Sequence, residues 1–478
     1  MQVLVHERCF PPSTAALVGA EIEWLSHSLQ REHDLGCGEV EAALGGTSTL
    51  PGGSSLTFEP GGQVELSSAA FSGVAEACQA LGRDASAVRA ALAEHDIGLV
   101  GMGLDPLRPP RRVIDGPRYQ AMAAFFDADG GRGGSTMMCS TAAIQVNLDI
   151  GGPEAVGRRW RLAHALGPVL VAAFANSPLA AGRPTGWCST RMATWLGIDP
   201  SRTSPVNQSK GWTDAWVDYA MAAKVMLIRR SPEDFVPVRN GLSFGEWMAR
   251  GHELGYPTVS DFEYHLTTLF PPVRPRGWLE LRYIDALPDP WWRVPVVVAT
   301  CLLDDDEASS VAADATARCQ ASWLEAAQCG PAHPELAQAA ETCFDAALAA
   351  CGRLEVDEPT ADLVARYRDL YVARHRCPAD DRLDEWVAAR DGSVITSLDA
   401  SWDQTSHDSR HWDWRPYGAP DDRARNGGDG PRSGPQGAGT QEAGTQEAGP
   451  PETGPPETGP SENGSPQTGP PEETASWT

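Results

Sequence analysis

Residues 58–68 read FEPGGQVELSS. Side chains on a strand alternate between its two faces with period two. With no bulge, Val64 and Leu66 fall on one face, while Glu59, Gly61, Gln63 and Glu65 fall on the other. Strands are depleted in glutamate, glycine and proline, yet this one places a proline and a Gly-Gly pair between two carboxylates.

Three other segments repeat the arrangement. In GAEIEWL (19–25), Ala20, Ile22 and Trp24 oppose Glu21 and Glu23. In AIQVNLDI (143–150), Ile144, Val146 and Leu148 oppose Gln145, Asn147 and Asp149. In GWLELRYID (277–285), Leu279, Leu281 and Tyr283 oppose Glu280 and Arg282. The common pattern predicts an antiparallel sheet with one apolar face, ready to be covered by helices, and one face of carboxylates and amides. Helical periodicity predicts helices over 74–95, 154–174, 213–221, 243–250 and 260–269, with capping boxes at Ser243/Glu246 and Ser260/Glu263. Residues 290–392 read as a helical C-terminal block, which makes the fold class α+β.

The polar face brings together Glu21, Glu23, Glu59, Glu65 and Glu280 with a single arginine and no lysine. Carboxylates so close cannot all ionise cheaply; a proton or a cation must relieve them. Oxygen-only donors suit a hard cation, Mg²⁺ or Mn²⁺, rather than zinc. Mg²⁺ commonly shares its shell with substrate phosphates, so the chemistry suggested is metal-assisted phosphoryl transfer, with Arg282 stabilising charge that develops on the phosphate. The sequence contains no GxxxxGK[ST], no kinase signature and no GxGxxG following a strand, so a P-loop is not expected to hold the nucleotide.

From about residue 418 onward large apolar side chains nearly vanish and the text becomes an irregular Gly/Pro/Glu-rich repeat. Such a segment cannot bury enough apolar surface to offset the entropy of ordering. The expected organisation is one catalytic unit over 1–417 and a disordered acidic tail over 418–478. The net charge is −26. A surface of that sign repels nucleic acid and anionic membranes, so neither is an expected partner. The apolar run LAHALGPVLVAAFA (162–175) is shorter than the ~20 residues that span a bilayer. The 11 cysteines are odd in number and carry no CxxC, and no basic segment followed by an apolar stretch opens the sequence. A reduced, cytoplasmic setting is therefore expected, with Cys319, Cys343 and Cys351 as core filler. Cys139 and Cys188 fall near the expected site without the His–Asp pattern of a nucleophile. His265 suits either a base or a packed ring.

Taken in order, GAEIEW, FEPGGQVELS, QVNLD, FANSPLAAGRPTGWCSTR (174–191) and FEYHLTTLFPPVRPRGWLELRYIDALP (262–288) resemble the motifs of the plant-type and actinobacterial glutamate–cysteine ligases. The resemblance implies a saddle-shaped antiparallel sheet with helices on one face, as in glutamine-synthetase-like carboxylate–amine ligases. It implies ATP as co-substrate, phosphorylation of the glutamate γ-carboxylate, and displacement of phosphate by the amine of cysteine to give γ-glutamylcysteine. Carried over residue by residue, Glu21, Glu23, Glu59, Glu65 and Glu280 become metal ligands, and Arg282 and Glu65 the catalytic pair. Gln63, Gln145, Asn147, Arg183 and Arg191 line the substrate and nucleotide cradle. The Ala/Arg/Gly/Trp-rich usage is similar to that of an actinobacterial member, which implies the first step of ergothioneine synthesis. After Arg282 the text reads RYIDALPDP, where the plant members continue with a Gly-rich ending. A different amine acceptor on the same fold, or an inactive metal- or nucleotide-binding homologue, are the alternatives.

Overall fold

The computed structural model describes residues 1–29, 35–45, 50–128 and 133–390. Its strands are β1 (Val18–Ser28), β2 (Ser55–Phe58), β3 (Val64–Ser67), β4 (Ile97–Val100), β5 (Ala143–Asp149), β6 (Leu179–Ala180), β7 (Arg183–Pro184), β8 (Leu227–Ser231), β9 (Asp234–Pro237), β10 (Val273–Pro275) and β11 (Trp278–Asp285). Seven of them form one sheet in the order β10-β11-β5-β1-β3-β2, with β4 paired to the far end of β1. Every pairing is antiparallel.

The segment 58–68 is not one strand. Glu59 to Gln63 form the turn of the β2–β3 hairpin, closed by hydrogen bonds from Glu59 N to Gln63 O (2.9 Å) and from Gly62 N to Glu59 O (2.7 Å). Pro60 pre-sets the turn, and Gly62 takes φ +84°, which an L side chain resists. Glu59 therefore stands at a turn, and strand parity does not govern it. In β11 the alternation also breaks. The register shifts between Leu281 and Ile284, so Tyr283 and Ile284 both enter the core and Tyr283 donates to Ala163 O at 3.2 Å.

The apolar face is made of Ala20, Ile22, Trp24, Val64, Leu66, Ile144, Val146, Leu148, Leu279 and Leu281, all fully buried. Helices Val74–Ala93, Val156–Phe174 and Arg293–Asp304 pack there. Helix Val74–Ala93 shows why: Val74, Ala77, Leu81, Ala85, Val88 and Leu92 recur at three- and four-residue spacing and all face the core. Each large side chain buried in this way contributes roughly 2 kcal/mol. The helical block continues through Asp306–Thr316, Trp323–Cys329, Pro334–Cys351, Glu358–Leu370 and Pro378–Arg390. Phe174, Phe344 and Tyr367 stack where it meets the sheet-covering helices.

Ser243 and Glu246 form the expected capping box. The next one is displaced: Thr258 and Asp261 cap helix Val259–Leu266, not Ser260 and Glu263, because the helix starts a turn-position earlier. Cys319, Cys343 and Cys351 are buried filler, and none of the eleven cysteines is in a disulfide. Among the described residues no helix is long and apolar enough to cross a membrane. The expected tail over 418–478, and the end of the catalytic unit at 417, lie outside the described residues.

Candidate active site

The register assembles the polar face row by row. Glu23 stands opposite Glu65, and Glu65 opposite Thr57. Glu21 lies between Ser67 and Gln145, and Asn147 stands opposite Glu280, which faces Arg274 on β10. The amides orient the carboxylates. Asn147 Nδ2 donates to Glu21 Oε1 at 3.1 Å, and Gln145 Nε2 to Glu23 Oε1 at 3.2 Å, while Ala143 N donates to Glu23 Oε2 at 2.8 Å. Glu65 Oε1 accepts from Thr57 Oγ1 at 2.7 Å and Ser67 Oγ at 3.2 Å.

Burial, then the charges of Glu280 and Glu65, pushes Glu21 up to about 8. Burial and Glu65 push Glu23 up to about 7. Glu59 is raised well above the usual carboxylate range by burial, then by Glu65 and Glu23. Burial and mutual repulsion thus outweigh the pull of the nearby arginines, so these carboxyls hold their protons more tightly than usual.

Glu280 differs from these. Burial alone would raise it, but Arg274 and then Arg282 hold it well below the ordinary range. Expected with the other four as a metal ligand, it has both oxygens taken by guanidinium groups. Arg274 reaches Oε2 at 2.5 Å and Oε1 at 3.0 Å, Arg282 reaches Oε2 at 3.1 Å, and Arg276 approaches Oε1 at 3.4 Å. Arg282 also donates to Gln145 Oε1. Its guanidinium lies beside both Trp195 and Phe270, 5.8 and 5.9 Å from their centroids, and those two rings pack edge to face on each other.

Arg191 joins this positive half. Its Nη2 donates to Arg282 O at 2.7 Å, where β11 bulges. Asp285 anchors the loop that leads into its helix, accepting from Asn176 N (2.9 Å), Ser177 Oγ (2.7 Å) and Ser189 Oγ (2.9 Å). Strand parity could not have pointed to Asp285, Trp195 or Phe270. Arg274 had a signal, since PRGW between it and Glu280 reads as a hairpin turn, with Gly277 at φ +90°.

The structure gives other residues different places. Gln63 is buried, and its Nε2 donates to Thr141 O at 2.8 Å while its Oε1 accepts from Gly61 N at 3.0 Å, so it fastens the turn. In the Gly-Gly pair, a Cβ on Gly61 would stand 2.1 Å from Cys139 O, so this glycine makes room for backbone of the protein itself. Arg183 is exposed on the β6–β7 hairpin. His265 is a packed ring: its Nε2 meets Ala220 O at 2.9 Å, and burial pushes it down to about 3. Cys188 packs beside Cys377 and Gly330. A cleft of about 630 Å³ lined by Arg83, Arg293 and Asp357 contains none of the polar-face residues.

Glu21, Glu23 and Glu59 are all oxygen donors whose crowding favours protons, and a divalent cation of the hard class would fit in the protons' place. Among the described residues no group of three or more His, Cys, Asp or Glu stands together as a ready metal cage. The face therefore offers donors around which water and substrate oxygens complete a shell, as Mg²⁺ chemistry ordinarily requires.

The profile of the family described as glutamate-cysteine ligase family 2 (GCS2) matches residues 17–400. The chain is 45% identical over 367 residues to the glutamate–cysteine ligase EgtA of Mycolicibacterium smegmatis, covering 75% of this chain and 84% of that protein. It is 33% identical over 275 residues to the chloroplastic glutamate–cysteine ligase A of Oryza sativa, covering 54% of each. Among solved structures, the glutamate–cysteine ligase of Francisella tularensis in complex with AMP superposes with a TM-score of 0.46 at 14% identity, covering 80% of this chain and 86% of that one.

Proposed function

The chain belongs to glutamate-cysteine ligase family 2, and we propose that it joins the γ-carboxylate of glutamate to the amine of cysteine, using ATP, to give γ-glutamylcysteine, ADP and phosphate. One observation carries the reading. A single sheet face holds carboxyls crowded and buried enough to retain protons on one side (Glu21, Glu23, with Glu59 at its turn) and a guanidinium pair (Arg282, Arg191) on the other. That division suits a reaction in which a metal-bound polyphosphate and a carboxylate must meet.

Glu21, Glu23, Glu59 and Glu65 would hold Mg²⁺ or Mn²⁺, and Glu280 orders the arginines. When bound, the cation would neutralise phosphate oxygens and polarise the bond to the phosphoryl group. Asn147 and Gln145 hold Glu21 and Glu23 in place. The γ-carboxylate oxygen attacks the terminal phosphorus and ADP leaves. The amine nitrogen then attacks the acyl carbon, the C–O bond to phosphate breaks, and the amine gives up a proton. Arg282 lies where it can balance charge on the phosphoryl oxygens in both steps, and Arg191 where it can take a carboxylate or phosphate by two contacts. Arg183 would reach substrate only from the rim. The likeness to EgtA supports a place at the start of ergothioneine synthesis, in the cytoplasm, with residues 1–417 as the catalytic unit.

The test is phosphate release and product mass with ATP, glutamate and a divalent cation, with cysteine, another amine or no amine added. The expected result is γ-glutamylcysteine, with one phosphate per product. Product with another amine and none with cysteine would reassign the acceptor. No phosphate with any amine would refute a ligase.

A further inference from the structure

Strand β5 stands between β11 and β1, and its two side-chain amides each bridge them. Gln145 Oε1 accepts from Arg282 on β11, while its Nε2 donates to Glu23 on β1. Asn147 repeats the arrangement two residues along. Its Oδ1 accepts from Trp278 Nε1 of β11 at 3.2 Å, and its Nδ2 donates to Glu21 Oε1 of β1 at 3.1 Å. Both groups on β11, the guanidinium and the indole N–H, can donate and cannot accept. The Arg282 arm belongs to the site described above; the reaction as described makes no use of the Trp278 arm.

A half-turn of the Asn147 amide would exchange its oxygen and nitrogen. Asn147 is fully buried, so solvent offers no partners to the turned form. Its NH2 would then face the indole N–H, donor against donor, and its oxygen would face the Glu21 carboxylate, acceptor against acceptor. Two hydrogen bonds would be lost where the local dielectric is low and an unmade bond is costly. Trp278 Nε1 thus selects the one orientation that gives Glu21 a donor. The indole is itself held in place. Trp278 stands opposite Asp149 in the register and reaches Asn147 along the diagonal between neighbouring strands. The Arg276 guanidinium covers the ring, 5.2 Å from its centroid, and also approaches Glu280 Oε1.

We propose that Trp278 is a positioning residue of the cation site: by donating to Asn147 it fixes the amide that holds Glu21 ready for a divalent cation. The inference rests on the metal-dependent ligase reading and adds to it a residue that acts through Asn147, touching neither cation nor substrate. Without the indole N–H, Asn147 can take both orientations. In one of them its oxygen repels the Glu21 carboxylate, which then serves the cation less well.

Trp278→Phe keeps an aromatic face and removes the N–H; β-(3-benzothienyl)alanine at the same position keeps the full ring shape and removes only the N–H. Binding of Mn²⁺ alone, read from the paramagnetic resonance of the free ion, compares both variants with the wild type. Phosphate release against Mg²⁺ concentration and urea melts in chelator accompany it. The expected result is an about ten-fold weaker Kd for Mn²⁺ in both variants, the loss typical of removing a partner behind a metal ligand. The Mg²⁺ concentration for half-maximal rate should rise by about the same factor, with kcat at saturating Mg²⁺ within about three-fold. Wild-type Mn²⁺ affinity in the benzothienyl variant overturns the proposal, whatever the phenylalanine does, because ring packing alone would then account for any loss. A lowered urea midpoint with unchanged Mn²⁺ affinity makes Trp278 a folding residue only and overturns it too. A wild type that makes no γ-glutamylcysteine, with Mn²⁺ binding weakened in both variants, overturns the ligase reading alone. A wild type that binds no Mn²⁺ overturns the cation site and the proposal with it.

Discussion

Glu65→Gln separates a metal cradle from an ordinary polar strand face. Glu65 stands directly opposite Glu23, and its charge helps raise Glu21, Glu23 and Glu59. Two unit charges at a cross-strand distance of ~6 Å, in an effective dielectric of ~20, repel by about 3 kcal/mol. Glu65 is half-buried, so solvent screening brings the net figure to about 1 kcal/mol. The glutamine keeps Oε1 as an acceptor for Thr57 and Ser67, so the hydrogen bonds that fix the side chain survive. In chelator the variant should therefore be about 1 kcal/mol more stable than the wild type, read from its denaturant midpoint. In the phosphate-release assay it should lose roughly two orders of magnitude or more in kcat, and need more Mg²⁺ for half-maximal rate, because a metal clamp acts on the charge of the transition state. A solvated glutamate would give neither effect. Turnover near the wild-type value with unchanged Mg²⁺ dependence would refute the cradle at this residue.

Glu21 and Glu23, at about 8 and 7, sit above the ordinary 4.5, so the folded chain holds protons that the unfolded chain releases. In chelator, their contribution to stability should be full below about pH 4.5 and be lost as pH rises to about 8; urea melts at pH 5 and 8.5 check it, and a flat or rising trend would contradict it. Gly61→Ala forces a Cβ to 2.1 Å from Cys139 O, so the melt should drop by at least about 2 kcal/mol, and Mg²⁺ dependence should weaken as Glu59 loosens. Asp285→Asn turns an amide N–H toward donors from Asn176, Ser177 and Ser189. It should cost about 2 kcal/mol and lower kcat/KM through the displaced Arg191, which kinetics beside a melting curve would reveal. Removing residues 418–478 should leave kcat within about two-fold, since a chain so poor in apolar groups buries little; a large loss would give the segment a role in turnover.

How much of the site was legible depended on which physical rule governed each residue. Alternation placed Glu21, Glu23, Gln145, Asn147, Glu280 and Arg282 on one face because β1, β5 and most of β11 are continuous strands with one face against helices. The rule failed where backbone chemistry interrupts the period. Pro60 and Gly62 turn 58–68 into a hairpin, so Gln63, given the right parity, fastens a turn and Glu59 owes its place to that turn. Asp285 and Trp195 were out of reach for another reason. Their partners lie some ninety residues away in sequence, and contact depends on a bulge that no local pattern announces.

Glu280 shows most sharply what spacing leaves out. It has the same residue type and the same parity as Glu21 and Glu23, yet its acidity moves the opposite way. The cause is one strand further out. β10 sets Arg274 directly opposite Glu280, where it bonds both oxygens, and the same hairpin brings Arg276 toward Oε1. An edge pairing thus converts the last carboxylate of the row into the anchor of an arginine cluster. The face thus grades from crowded carboxyls, which a cation would deprotonate, at Glu21 to Glu59 to guanidinium groups at Arg191 to Arg274. In the proposed reaction that gradient gives the two ends different tasks: the carboxylate end can hold a cation against a polyphosphate, and the arginine end can hold the anionic oxygens that phosphoryl transfer leaves exposed. A row of five equivalent carboxylates would bind metal as well but would repel those oxygens. Replacing Arg274 should therefore harm the reaction through Glu280 and Arg282 although Arg274 itself stands behind them.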